Sequence, residues 1–442
     1  MMFEKEIEQD NFQASLVNLQ KTLEHTGDQE KTKQKSWQQF LCIGLPKRNN
    51  EAYRNIKLRT LYSQTFCMAD EKLLTKESVS PWIYPECLSS VAVFVNGHYA
   101  PHLSNYAGLP QKVAILPLEE AAATYSTFLT NSWSKNLKEE TDPFALLNGA
   151  FHRKGLFFYV PPKTIVETPI QILHLIDSSA SLAWHTPRLH LFVGANAEVK
   201  LINTHKNLAN EGCIVNQVAE FTVEEGARVH YTQIMADKHP QRWHFDAVRA
   251  TVKKGGSFNS VCLSEGSAAT RTDYKITLTG ENAEGLLSGL SLLSGKSEMH
   301  THILMEHQAP ACRSYQLFKG VLNDFSRSSF EGKIMVRQAA QKTEAFQLNN
   351  NLLIGDHAQV NSKPNLEIFA DDVKASHGAT IGQLDEEQLF YMKTRGFSDR
   401  AAKNLLVYGF CEQIIAMLPI NSLKEEIIQK ARHYLIENGE QA

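Results

Sequence analysis

The 442-residue chain contains no stretch approaching the roughly 20 apolar residues of a membrane-spanning helix, which removes the membrane from its expected partners. Its start, Met1-Met2-Phe3-Glu4-Lys5-Glu6-Ile7-Glu8, lacks a basic region followed by an apolar run, so no secretory leader is expected. Neither sign of charge is in excess. The 45 basic and 48 acidic residues leave a net −3, and no global field favours nucleic acid or an anionic lipid surface. The seven cysteines, Cys42, Cys67, Cys87, Cys213, Cys262, Cys312 and Cys411, include no Cys-x-x-Cys pair. Such an odd, scattered set suits a reducing cytoplasm and argues against a four-cysteine cluster held by this chain alone. Phosphate-cradling glycine loops of the P-loop or dinucleotide type are missing, so no bound nucleotide is expected. There is also no Gly-x-Ser-x-Gly elbow and no cysteine–histidine pair in a nucleophile context.

What is present falls into three textures, in line with the roughly three domains that length allows. Residues 1–155 mix helical and irregular patterns. Phe12, Leu16, Leu19 and Leu23 recur at steps of 4, 3 and 4, one face of an amphipathic helix. Thr26 to Lys35 is polar apart from Gly27 and reads as a loop or frayed end. Trp37, Phe40, Leu41 and Ile43 form a second helical cluster that Gly44-Leu45-Pro46 should stop. Val91-Ala92-Val93-Phe94-Val95 followed by Asn96-Gly97 reads as a strand entering a hairpin turn.

Residues 156–382 are short β-rich runs broken by glycine-bearing turns. The turns Gly194-Ala195-Asn196, Glu225-Gly226-Ala227 and Lys254-Gly255-Gly256 place glycines 194, 226 and 255 at separations of 32 and 29 residues. Gly280-Glu281-Asn282 and Gly355-Asp356-His357 follow. A period of about 30 matches the coils of a solenoid, and helical spacing is too scarce for a βαβ sheet. The predicted class is mainly β, a parallel β-helix between an N-terminal mixed region and a C-terminal helical region, with a β-sandwich as the competing arrangement. Asn349-Asn350-Asn351 has two readings, an inward ladder between coils or a polar turn.

Residues 383–442 are helical. Asp385-Glu386-Glu387 opens a helix that Gly396 closes. A second begins after Ser398, with Leu405, Leu406, Phe410, Ile414 and Met417 as its apolar stripe and Pro419 as its stop. Ser422-Leu423-Lys424-Glu425 fits a capping box for a third. So short a tail has little core of its own, which makes an exposed partner surface credible.

The segment Lys363 to Thr380 alternates as a strand should. Val373, Ala375, His377 and Ala379 project to one face, and Lys374, Ser376 and Gly378 to the other. His377 is then a solitary titratable ligand among small residues. His300 and His302, with Glu306 and His307 nearby, share a strand face in a pattern open to transition metals, but no third ligand is fixed and no metal is assigned. Asp371, Asp372, Lys374 and Arg337 could serve a stand-alone carbohydrate-active β-helix, the alternative function class, though nothing in their spacing requires it.

Several segments resemble one family. They are Ser314-Tyr315-Gln316-Leu317-Phe318-Lys319-Gly320, Phe330-Glu331-Gly332-Lys333-Ile334, Ala340-Gln341-Lys342-Thr343-Glu344-Ala345-Phe346-Gln347, Asn351-Leu352-Leu353, the run from Lys363 to Thr380, and Leu389-Phe390-Tyr391-Met392-Lys393-Thr394-Arg395-Gly396. In this order they resemble the SufB/SufD superfamily of iron-sulfur assembly proteins, and Ser376-His377-Gly378-Ala379-Thr380 is similar to its SufD branch. Gly44-Leu45-Pro46 and Glu51 also fit, while Tyr53 stands where the family favours tryptophan. The resemblance implies a right-handed parallel β-helix and a non-catalytic scaffold subunit of a cytoplasmic SufBCD complex. It implies a heterodimer with SufB, a SufC ATPase on the C-terminal helices, and a homodimer as the competing state in isolation. By the same resemblance His377 faces SufB as a candidate site for iron or a transient, nascent cluster. Phe390, Arg395, Phe397, Leu405, Leu406 and Phe410 are the candidate SufC-facing residues. One departure is Ala375, where many relatives carry cysteine.

Overall fold

The computed structural model describes residues 2–22, 30–47, 49–125, 129, 137–178, 180, 182–235 and 239–435. The glycine-marked period corresponds to a parallel β-solenoid of about eight coils, each laying one strand into each of two sheets. The first sheet runs from Leu156–Val160 through Arg188–Val193, Cys213–Val223, Arg242–Val252, Ala269–Leu278, Glu298–His307 and Arg327–Val336 to Gln359–Ile368. The second runs from Ile170–Ile176 through Glu198–Asn207, Arg228–Met235, Ser257–Ser264, Glu284–Leu293, Arg313–Leu322 and Thr343–Leu353 to Val373–Gly382. These coil strands pair in parallel with unbroken register, for example Gln217 with Asp246 and Gln316 with Gln347, which excludes the sandwich.

The turns explain the period. At one corner Asn196, Gly226, Gly255, Asn282, Ala311 and Lys342 all take positive φ, between 55° and 65°. Each turns its backbone N–H onto a carbonyl of the next coil: Asn196 onto Glu225, Gly226 onto Lys254, Gly255 onto Glu281, Asn282 onto Pro310, Ala311 onto Gln341 and Lys342 onto Asp372. Glycine and asparagine tolerate this conformation best, which is why they mark the corners in the sequence. Gly280 is needed for closeness as well, since a Cβ there would stand 2.1 Å from the Lys254 nitrogen.

Three apolar clusters fix the layers. Alternate strand residues such as Leu191, Phe221, Val248, Ile276, Ile303 and Ile334 fill the space between the sheets. The outer face of the first sheet, with Trp184, Ile214, Trp243 and Phe245, is covered by N-terminal side chains including Phe12, Leu16, Phe40, Tyr53 and Phe144. The outer face of the second sheet, with Ile234, Leu263, Leu290 and Leu317, is covered by the C-terminal helices through Val407, Cys411, Ile414, Leu423 and Ile427.

Local expectations hold unevenly. Phe12 and Leu16 are buried as the first helical face and Leu19 packs beside them, while Leu23 and Thr26 to Gln29 lie outside the described residues. Glu30–Ile43 is one helix, so the polar stretch from Glu30 to Lys35, read as loop, is helical. Its lysines, glutamate and glutamine are good helix formers, and Phe40 anchors the far end in the core. Gly44, at φ +72°, ends it. Val91–Val95 forms the expected strand, turning at Asn96-Gly97 into antiparallel His98–Tyr99. The helix Asp399–Ile415 is rotated from the predicted stripe: Ala402, Asn404, Val407, Cys411, Ile414 and Ile415 are buried, whereas Leu405 and Met417 are exposed. The predicted Ser422 capping box does not form, because Glu86 accepts hydrogen bonds from Ser422 N (3.0 Å) and Oγ (2.6 Å). A carboxylate from the N-terminal region thus serves the positive end of the helix Asn421–Arg432.

Candidate functional site

The start of the solenoid is covered. Ala114–Pro117 pairs antiparallel with Leu156–Val160, and Val91–Val95 extends the second sheet before turning back as its own hairpin. At the other end Gln359–Ile368 and Val373–Gly382 are the last strands of their sheets, and among the described residues nothing pairs with their outer edges. Pro364, which has no N–H to offer, sits in one of these edge strands, as strand prolines do. Phe346, Leu348, Ile368, Phe369 and Ile381 are exposed around this end.

His377 lies in the last strand. Val373 and Ala375 pack against the interior core, so the face assigned to them from the sequence is the inward one, and His377 and Ala379 continue it. Those two are exposed because no further coil covers them. One coil below, Gln347 is the register partner of His377, and its Nε2 donates to Gln316 Oε1 at 2.6 Å in the coil beneath. Beside this stack the asparagine run is strand with Asn349 and Asn351 facing inward, and the polar-turn reading falls. Asn351 Nδ2 and Ser362 Oγ both donate to Asn349 Oδ1, at 2.8 and 2.7 Å, while Asn349 Nδ2 donates to Phe318 O in the coil below (3.3 Å) and Asn351 Nδ2 to Thr380 O in the coil above (3.5 Å), so the asparagines do bond between coils as well as to each other.

The other candidates do not converge on one site. His300 contacts Ser329 Oγ at 2.7 Å and Glu298 at 3.2 Å, and His302 contacts Asp273 at 2.7 Å, all on the outer face. His307 faces inward to Ser314 Oγ at 2.9 Å, and Glu306 pairs with Arg337 at 2.6 Å. Among the described residues no group of three or more His, Cys, Asp or Glu side chains could hold a metal ion. The acids and bases of the carbohydrate reading are likewise scattered, with Lys374 held by Glu344 at 3.4 Å and Asp371 and Asp372 exposed in a turn.

Residues 174–410 match the family model described as SUF system FeS cluster assembly, SufBD core domain, and residues 14–172 match the SufBD protein N-terminal region. The chain belongs to the SufBD family. It is 29% identical to the iron-sulfur cluster assembly protein SufD of Escherichia coli over 415 residues, 90% of this chain and 91% of that protein. An iron-sulfur cluster assembly SufBD family protein of Synechocystis is 28% identical over 395 residues, covering 88% of this chain and 87% of its own length. The chloroplastic protein ABCI7 of Arabidopsis thaliana is 29% identical over 338 residues, 74% of this chain and 67% of that one. Within the SufBD family this chain is SufD-like.

In this SufD-like chain the helix Glu386–Thr394 buries none of its residues. Phe390 is 70% exposed, Tyr391 and Phe397 are exposed, and Arg395 stacks its guanidinium over Tyr391 at 5.1 Å. Leu406 and Phe410 are half-buried, with Lys319 lying over the Phe410 ring at 5.0 Å. Of the cysteines only Cys42 and Cys67 reach the surface, and burial pushes the Cys87, Cys262 and Cys411 thiols up to about 12, which leaves them inert.

Two interior features carried no signal that the sequence reading used. The rings of His174 and His205 stack at 4.4 Å and His244 meets His205 edge-on at 4.6 Å, all buried between the first coils. Next to them buried Asp246 accepts from Gln233 Nε2, and Tyr274 Oη donates to Gln233 Oε1 at 2.9 Å. Burial pushes the Asp246 carboxyl up to about 7, despite nearby Gln217 and Arg249. The Gln316–Gln347–His377 stack did have a sequence signal. Stepping back from His377 by the coil period of about 30 lands on Gln347, then Gln316.

Proposed function

We propose that this chain is a non-catalytic scaffold subunit of a cytoplasmic SufBCD complex. Its open solenoid end seats SufB, and its C-terminal helices receive the SufC ATPase. One observation carries the reading: the solenoid stops in two strand edges that nothing among the described residues pairs, ringed by exposed apolar side chains, with His377 among them. Unpaired edges are a liability that a partner strand relieves, and a second coil stack docking there would bring its own side chains up to His377. Because this chain gathers no three-ligand metal group among its described residues, iron or a nascent cluster at His377 would take its remaining ligands, thiolates included, from SufB. Ala375, half-buried two residues before His377, supplies no thiolate itself.

The helix Glu386–Thr394 supports the second contact. An apolar surface formed by Phe390 and Tyr391 on a helix with no buried residue, and by Phe397 just beyond its end, fits a partner groove, with Arg395, Leu405, Leu406 and Phe410 at its margin. The chain's own SufD-like sequence argues for these partners over the carbohydrate-active alternative.

Co-expression with SufB and SufC from the same organism, followed by mass determination and anaerobic iron and sulfide analysis, tests the reading. The expected product contains one SufB, two SufC and one copy of this chain. His377→Ala should leave that assembly and its thermal midpoint unchanged and lower the cluster yield. A chain that remains a monomer or self-dimer in the presence of both partners overturns the scaffold role, and an unchanged yield in the H377A complex removes His377 from it.

A further inference from the structure

We propose that Gln347 is the positioning residue for His377: its side-chain carbonyl oxygen accepts a hydrogen bond from one imidazole N–H and so fixes which ring nitrogen presents a lone pair at the open end. The inference rests on the reading of His377 as a ligand, but its geometry stands by itself.

Gln347 is fully buried, and its Oε1 has no hydrogen-bond partner although its Nε2 is used by Gln316. An orphaned buried acceptor forfeits its hydration without recompense, a cost that any reachable donor recovers. The register places His377 directly beside Gln347 on the same inward face, one strand spacing of about 4.8 Å away. His377 is exposed, so rotation about its side-chain torsions is all that the contact requires. The surroundings also make room for the amide. Gly332, across the interior on the other sheet, would put a Cβ 2.1 Å from Gln347 Nε2, so any larger residue there would displace the side chain.

A neutral imidazole has one donor and one acceptor nitrogen, and a hydrogen bond to the donor selects the tautomer. Metal-ligating histidines almost always give their second N–H to a carbonyl or carboxylate. Gln347 Oε1 supplies such a carbonyl, itself held in place by the Gln316 contact below.

The test is the tautomer of His377, read from nitrogen-15 NMR of histidine-labelled full-length chain at a pH where the ring is neutral. The His377→Ala spectrum identifies the signal. One tautomer should dominate in the wild type, and Gln347→Leu should move the ratio towards that of a free imidazole. Gln347→Glu, which keeps an acceptor at the same reach, should restore it. If the leucine variant folds poorly, Gln347→Asn withdraws the oxygen by one methylene and should have the same effect. In the assembled complex, Gln347→Leu should weaken retention of ferrous iron about tenfold. A tautomer ratio that ignores both the leucine and the asparagine change overturns the inference. If the ratio responds but H377A leaves cluster yield unchanged, the positioning stands and the ligand role of His377 falls.

Discussion

The covered start of the solenoid and its open end are built from the same repeat but are held in opposite ways. At the start, side chains from outside the coils lock the outer face of the first sheet. Arg271 lies between Asp142 (2.9 Å) and Asp273 (2.7 Å) with its guanidinium over the Tyr53 ring, and Arg249 grips Glu140 at 2.7 and 3.0 Å. At the end, the last strands bury little, and Lys363 forms ion pairs with Glu51 and Glu331 near the surface. From the start to the middle of the sheet, the N-terminal cover buries its charges in pairs. The end trades burial for accessibility, which a docking edge requires.

That contrast can be broken in measurable steps. The largest effect should come from acid. Burial, first of all, pushes His174 and His244 down to about 3 and His185 to about 4, whereas the unfolded rings titrate near 6.5. The unfolded state therefore binds more protons across that window, and stability present above about pH 6.5 is lost as pH falls towards 3. Chemical denaturation at pH 7 and 5 should differ by several kcal/mol, and His244→Gln should flatten the slope. A pH-independent midpoint would mean the histidine cluster is hydrated rather than dry.

Next, Asp273→Asn should cost about 3–5 kcal/mol, because it leaves two buried guanidiniums short of a partner. Burial alone would raise the Asp273 carboxyl, but Arg271, then Arg249 and His302, outweigh it and hold the group well below its ordinary range. A loss under about 1 kcal/mol would show that the N-terminal cover contributes little.

Asp246→Asn should act in the opposite sense. With its folded value raised to about 7 against 3.8 unfolded, the folded state binds the extra proton, so stability falls as pH rises between those values. At pH 8 the asparagine variant should be about 4 kcal/mol more stable than wild type, with the gain shrinking as pH falls and gone only near 3.8. Equal midpoints at pH 8 would place a counter-charge near Asp246.

Smallest in stability is Ile381→Asp at the open end, where a midpoint shift below about 0.5 kcal/mol should accompany loss of the SufB-containing complex. An intact complex would move the SufB contact away from the last strand. Together these changes should separate residues that hold the solenoid from residues that offer it.

The parallel solenoid and the face that His377 shares with Val373 and Ala375 were legible because both depend on short-range rules, glycine-marked corners at a fixed period and alternation along a strand, whereas that this face is the inward one depends on the packing of Val373 and Ala375. What was not legible depends on distant chain. Ser422 was read as its own cap, yet the acceptor is Glu86, 336 residues away. The stripe on Asp399–Ile415 was misrotated because the surface that selects Val407 and Cys411 is assembled from Leu263, Leu290 and Leu317 on separate coils. Helical formation from Glu30 is hidden by a polar run whose anchors, Ser36, Trp37 and Phe40, lie further along. Gln347 obeys the same period, since one coil back from His377 is Gln347 and two coils back is Gln316.

The corner ladder has an evolutionary consequence. Each left-handed corner residue hands its N–H to the coil that follows, and the ladder is unbroken although successive corners from Asn196 to Lys342 lie 27 to 31 residues apart, so only a change at the corner itself misplaces donor and acceptor. Removing an entire coil leaves every surviving corner facing an equivalent neighbour. A coil can therefore take up a few residues elsewhere in its circuit without moving its neighbours, while the ladder advances one whole coil at a time, which makes the distance from covered start to open end an integer number of strand spacings.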